Sequence, residues 1–162
     1  MAKICDDARL APLEREAWGG LLHRHAHVVA TLDRELREAE GLSISEYEVL
    51  LHLARAGSPC LRMGSLAGSL PLTPSGVTRV VDRLEGWKLV KRARSAEDAR
   101  SFSVSLTAAG RTRFERAHEV HMAGVRRHFL GPLSEGDLRD LARIWGKLEK
   151  AAGEEAPEEG DR

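Results

Sequence analysis

Aromatic residues are scarce in this chain: Phe, Trp and Tyr together make 4% of its 162 residues. Cysteine occurs only at Cys5 and Cys60. Two cysteines are too few for a disulfide framework, which points to a reducing cytoplasm. No stretch approaches the ~18 consecutive apolar residues of a membrane span, and MAKICDDARLAPLEREAW has no apolar run of the kind a secretory signal needs. Net charge is absent too, because 25 Lys+Arg cancel 25 Asp+Glu. That excludes a uniformly basic nucleic-acid coat but not a basic patch balanced by acid elsewhere. No Gly-rich phosphate loop, G-x-S-x-G or metal-plus-base helix motif occurs, so neither catalysis nor a cofactor is expected. The expectation is a soluble cytoplasmic protein without a membrane partner, built as one domain or two small lobes.

Helical periodicity with clear punctuation is present instead. Pro12 opens a pattern running to about Ala39, with Trp18, Leu21/Leu22, His25, Val28/Val29, Leu32 and Leu36 at helix-stripe spacing, and Gly41 stops it. Ser43 and Ser45 offer N-caps for SISEYEVLLHLARA, each with a glutamate three residues on. A short helix comes next in LRMGSLAGSL (61–70), ended by Pro71. Thr73 then caps PSGVTRVVDRLEGW, with Pro74 at the first helical position. LVKRAR (89–94) and SFSVSL (101–106) alternate as two strands of a hairpin around the polar tip SAEDARS. Thr107 caps a fifth helix of about 24 residues, ending at Gly131-Pro132, and Ser134 caps a sixth with Leu138, Leu141, Trp145 and Leu148 on one face. The tail GEEAPEEGDR is acidic and expected to be disordered.

The fourth helix carries the functional signal. Val77, Val80, Val81 and Leu84 define its buried face, so Ser75, Arg79 and Asp82 point the opposite way, flanked by Thr78 and Arg83. Hydroxyls and an arginine near a helix N-terminus suit a major groove: arginine reads guanine bidentately, while Ser and Thr serve phosphates or base edges. With the short helix and turn before it, this makes a helix-turn-helix. Lys91, Arg92, Arg94 and Arg100 surround the hairpin tip. Residues 73–100 hold seven Lys/Arg against four acids, whereas 149–162 hold two against six. The neutral total thus conceals a basic DNA-facing block.

The stretch LTPSGVTRVVDRLEGWKLVKRARSAEDARSFSVSLTAAG (72–110) resembles the recognition helix, wing and D-x-R … V-x-L-T-x-x-G run of the MarR family of bacterial transcriptional regulators. Asp98 and Arg100 fit the Asp-x-Arg pair, while Val104, Leu106, Thr107 and Gly110 fit the V-x-L-T-x-x-G run. SEYEVLLHLA (45–54) resembles the family's second helix. The resemblance spans about residues 15–150. It implies a mostly α fold with a small β-hairpin wing (α+β), a winged helix-turn-helix lobe on a helical dimerisation scaffold. The scaffold would comprise 12–40 and 107–152, the DNA-binding lobe 43–106 and the disordered acidic tail 153–162. It further implies a homodimer on a pseudo-palindromic double-stranded operator, with lobes about 34–36 Å apart. Ser75, Thr78 and Arg79 would enter the major groove with Asp82, Arg83 and Arg94 nearby. Arg100, oriented by Asp98, would reach the minor groove. Gly76 departs from the family, standing where a larger polar residue is usual.

Family members typically repress, and release DNA when a small molecule binds between scaffold and winged lobe. Trp18, Leu22, His25 and Val29, with Tyr47, Leu51, Phe114, His118 and His121, are the candidate lining, suited to an aromatic or lipophilic effector, although such stripes are often plain core. His23 and His27 at i, i+4 and His118 and His121 at i, i+3 have spacings that can hold zinc, but no Glu-x-x-His or Cys-x-x-Cys accompanies them. Cys60 before Arg62 is a better oxidant sensor than Cys5 beside two aspartates, with a buried apolar role as its default. The alternatives are therefore a metal- or thiol-oxidation-responsive regulator of the same fold, or a winged-helix protein-interaction module without DNA. The latter needs apolar anchors on the fourth helix, where Ser, Thr and Arg stand instead.

Overall fold

The computed structural model describes residues 9–58, 60–94 and 102–154. The order is α1 (Pro12–Glu40), α2 (Ile44–Arg55), β1 (Leu61–Arg62), α3 (Met63–Gly68), α4 (Pro74–Gly86), β2 (Val90–Arg94), β3 (Phe102–Leu106), α5 (Ala108–Val125) and α6 (Glu135–Glu154). The chain divides into two compact units, 1–124 and 125–162. The mostly α fold with a small antiparallel sheet is as expected. The sheet, however, has a third strand, in the order β1-β3-β2.

Local side-chain chemistry sets most boundaries in the first unit. Gly41 closes α1 in the left-handed conformation at φ 67°, its N–H donating to the Arg37 carbonyl. Ser43 caps α2 in a reciprocal box: its Oγ accepts from the Glu46 N–H at 3.3 Å, and the Glu46 carboxylate accepts from the Ser43 N–H at 2.7 Å. Ile44 N–H donates to Asp33 Oδ1 at 2.8 Å, tying the start of α2 to α1. Burial raises the Asp33 carboxyl pKa, but the hydrogen bonds from Arg37 and Ile44 outweigh it and leave the value below the ordinary one.

The core of this unit gathers Leu36, Leu42, Tyr47, Leu50, Leu66, Val77, Val81, Leu84, Val90 and Val104, so α1 to α4 and the sheet share one apolar interior. The α4 end is a left-handed cap: Leu89 N–H donates to Leu84 O, Lys88 N–H to Glu85 O, and Lys88 carries φ 60°. Thr107 begins α5, accepting from Gly110 N–H at 3.0 Å and donating its hydroxyl to Lys88 O at 2.7 Å. Gly110 is obligatory there, since a Cβ would stand 1.9 Å from the Leu89 carbonyl oxygen. Arg113 Nη1 donates to Glu40 O at 2.7 Å and Arg116 grips the Glu40 carboxylate, holding α5 to the end of α1.

Residues Arg126–Leu130 form a π-helical turn closed by Gly131 N–H on Arg126 O, so the helix expected to end at Gly131 does so with a π-helical last turn. Ser134 caps α6 as expected, exchanging hydrogen bonds with Asp137. Ile144, Trp145 and Leu148 of α6 are exposed.

Candidate nucleic-acid interface

Thr73 accepts from the Gly76 N–H at 3.1 Å and Pro74 starts the helix, which aims the first turn of α4 outward. Val77, Val81 and Leu84 are buried and Val80 is half-buried. Ser75, Thr78, Arg79, Asp82 and Arg83 are all exposed, on the face the periodicity assigns them. Ser75 Oγ lies 3.2 Å from Thr73 Oγ1, and the Thr78 hydroxyl donates back to Pro74 O at 3.0 Å. Both hydroxyls retain acceptor lone pairs.

The charges of this face are unequally committed. Arg83 Nη1 is 2.8 Å from Glu46 Oε1, and Asp82 is paired with Arg92. Among the described residues no carboxylate pairs with Arg79, leaving it the uncommitted cation of α4.

Arg92 is the residue whose role sequence reasoning missed. Rather than ringing the hairpin tip, it lies mid-strand in β2, opposite Val104, and is half-buried. Its guanidinium binds Asp82, reaches Glu85 Oε2 at 3.4 Å and donates to Thr78 O at 3.3 Å, while its backbone N–H donates to Glu85 Oε1 at 3.0 Å. It thereby fastens the wing to α4. The signal was available: strand alternation puts Arg92 on the face of buried Val90, and Asp82 and Glu85 stand at i, i+3. Arg94 is exposed at the far end of β2, opposite Phe102. Asp98 and Arg100 lie outside the described residues, as do Cys5 and the tail beyond residue 154.

Of the nine proposed lining residues, four gather. Tyr47, Phe114, His118 and His121 form a stacked cluster, with Tyr47 and His121 ring centroids 4.4 Å apart and Phe114 and His118 5.4 Å apart. Tyr47 Oη lies 2.8 Å from His118 Nδ1, whereas the buried His121 Nδ1 has no hydrogen-bond partner among the described residues. Burial pushes the Tyr47 phenol up to about 12. Burial, then the neighbouring His118, lowers His121 below its ordinary value. Leu51 and Val29 are half-buried, while Trp18, Leu22 and His25 are exposed on α1.

The weaker candidates divide similarly. His23 Nδ1 donates to Gly19 O at 2.7 Å on an exposed face shared with His27. Among the described residues no three His, Cys, Asp or Glu side chains gather as a metal site. Cys60 is exposed, which corrects the buried apolar role expected of it: it lies in the open connection after α2, short of the core.

Comparison with known proteins agrees with this geometry. Residues 40–101 match the model of the MarR family. The HTH-type transcriptional repressor MdtR of Bacillus subtilis is 33% identical over 118 residues, covering 73% of this chain and 74% of the relative. The HTH-type transcriptional repressor Rv2887 of Mycobacterium tuberculosis is 31% identical over 145 residues, 90% of this chain and 96% of the relative. The crystal structure of Sco3205, a MarR family transcriptional regulator from Streptomyces coelicolor in complex with DNA, superimposes with a TM-score of 0.82 at 27% identity, covering 93% of this chain and 96% of that one. The capped α4 with its exposed Ser, Thr and Arg, the wing fastened beside it and these likenesses together make the chain a member of the MarR family of DNA-binding transcriptional regulators.

Proposed function

We propose that this protein is a cytoplasmic repressor that holds a pseudo-palindromic operator as a homodimer and releases it when a small molecule binds. The observation that carries the DNA contact is Arg79, exposed between Ser75 and Asp82 on α4 and unpaired among the described residues. Arg79 reads a base edge in the major groove while Ser75 and Thr78 meet phosphates or base edges. Arg94 lies on the wing strand beside α4, and Arg100, oriented by Asp98, reaches toward the minor groove. The repressor reading is supported by the names of the two relatives, MdtR and Rv2887.

Residues 43–106 serve as the DNA-binding lobe, and 12–40 with 107–152 as the dimerisation scaffold. Leu13, Trp18, Leu21 and Leu22 on α1 and Ile144, Trp145 and Leu148 on α6 are exposed in the single chain, as dimer-forming stripes would be. The Tyr47–Phe114–His118–His121 cluster supports an aromatic effector, because it offers stacking faces and a ring nitrogen without a partner among the described residues.

Footprinting on DNA upstream of the protein's own gene tests this reading. A palindromic protected site is expected, and Arg79→Ala should cost about 1–3 kcal/mol and relax base preference. Absence of a palindrome together with an unaltered Arg79→Ala protein overturns it. Compounds that raise the melting temperature and also release the duplex identify the effector.

A further inference from the structure

We propose that Glu46 is a positioning residue for the recognition helix, acting through Arg83, and that Arg83 is held back from the DNA phosphates. The inference rests on the reading of α4 as the helix that enters the groove. Glu46 is 1% exposed, a carboxylate buried in the first turn of α2. Each of its oxygens has one donor: Oε2 takes the Ser43 N–H at 2.7 Å and Oε1 takes Arg83 Nη1 at 2.8 Å. Ordinary helix capping needs only the first of these. The second reaches 37 residues along the chain to another helix, and a buried carboxylate that loses its cation cannot regain water.

Arg83 therefore differs from Arg79 one turn earlier, although the helix presents both side chains to solvent. Nη1 is held by an interior carboxylate while the rest of the guanidinium is exposed, so a phosphate can draw Arg83 toward the DNA only against the pull of that counter-charge. On the opposite flank Asp82 and Glu85 are committed to Arg92. The helix is thus braced by α2 on one side and by β2 on the other. Arg79 is left to report on the DNA, and Arg83 fixes the angle at which it arrives.

The test is operator affinity as a function of salt, measured on the footprinted duplex and on a scrambled duplex. A lost phosphate contact flattens the slope of log K against log salt by about 0.9, whereas a lost positioning contact lowers affinity without changing the slope. Arg83→Gln removes the cation that faces Glu46 and so releases the brace, and it should reduce operator affinity about tenfold, the scale of one mismatched base pair, at unchanged slope. Glu46→Gln carries one acceptor oxygen and cannot serve both Ser43 and Arg83. It should free the guanidinium, steepening the slope on scrambled DNA by about 0.9 while operator preference falls.

A flatter slope for Arg83→Gln on both duplexes overturns the proposal, as does an unchanged slope and preference in Glu46→Gln. Melting curves establish that each variant is folded, and Arg83→Gln decides the matter alone if Glu46→Gln is not. An inert Arg79→Ala in the same series would refute α4 as the reading helix, a separate failure.

Discussion

Gly110 and Gly86 receive the same substitution with opposite expected outcomes. A Cβ on Gly110 would lie 1.9 Å from the Leu89 carbonyl oxygen and 2.8 Å from its carbon. The obstacle is backbone and cannot rotate aside. Opening that gap to van der Waals separation needs a shift of roughly 1.5 Å, which a close-packed interior cannot supply freely. The same carbonyl accepts the Thr107 N–H at 3.0 Å and the Thr107 hydroxyl at 3.2 Å, so moving α5 away loosens both. Two hydrogen bonds weakened by about 0.5 kcal/mol each, added to overpacking of about 1–3 kcal/mol, put Gly110→Ala at about 2–4 kcal/mol destabilising.

A Cβ on Gly86 meets nothing within 4 Å, so Gly86→Ala should stabilise by about 0.5 kcal/mol through helix propensity. Thermal and urea unfolding, both variants at one fixed protein concentration, measure the two effects. The expected drop for Gly110→Ala is on the order of 10 °C. Small changes of the same sign in the two variants would refute the close-approach argument, and with it the physical account of the glycine ending the V-x-L-T-x-x-G run.

Backbone strain and protonation give two more expected outcomes. Lys88 holds φ 60° at the end of α4. The left-handed conformation costs a side-chain-bearing residue about 1–2 kcal/mol, and glycine returns about 0.5–1 of that as unfolded-state entropy. Lys88→Gly should therefore raise unfolding free energy by about 0.5–1 kcal/mol, and a loss of stability would contradict the left-handed cap. Burial and His118 hold the His121 pKa below its ordinary 6.5. The unfolded chain then takes up that proton first, so the stabilising contribution is present above pH 6.5 and is lost on acidification below it. His121→Leu should reduce the fall in stability between about pH 6.5 and 5, and an unaltered pH profile would show that other groups dominate.

Much of the fold is legible in the sequence where side chains answer the backbone within three or four residues. The Ser43–Glu46 box, the Thr73 cap and the Gly41 stop are of this kind, and the structure has each in its expected place. The exposed face of α4 is equally readable from its period. Strand β1 is not: two residues carry no alternation, and Leu61 and Arg62 are strand only because Val104 and Ser103 lie alongside. The π-helical turn at Arg126–Leu130 likewise has no periodic signature. For α1, a stripe shows that Trp18, Leu22 and His25 share a side with Leu32, yet not which of them the same chain covers. Only the later part of the stripe, Leu32 and Leu36, is buried. Charge is the least legible, because pairing is a tertiary property. Alternation places Arg92 on the inner face of its strand, but nothing in the sequence tells that Asp82 is its partner or that Arg83 reaches Glu46 on another helix.

The pairing of the two-residue strand β1 with β3 closes a loop containing α3, α4 and β2, and places β3 between two neighbours. The wing strands and the helix-turn-helix cannot come apart in sequence: releasing Leu61 and Arg62 from Val104 and Ser103 opens the ring at its base. Amide exchange across β3 and the helices within that loop should accordingly share one opening event, so that α3, α4 and the sheet behave as a single cooperative unit and not as a rigid helix carrying a fraying flap.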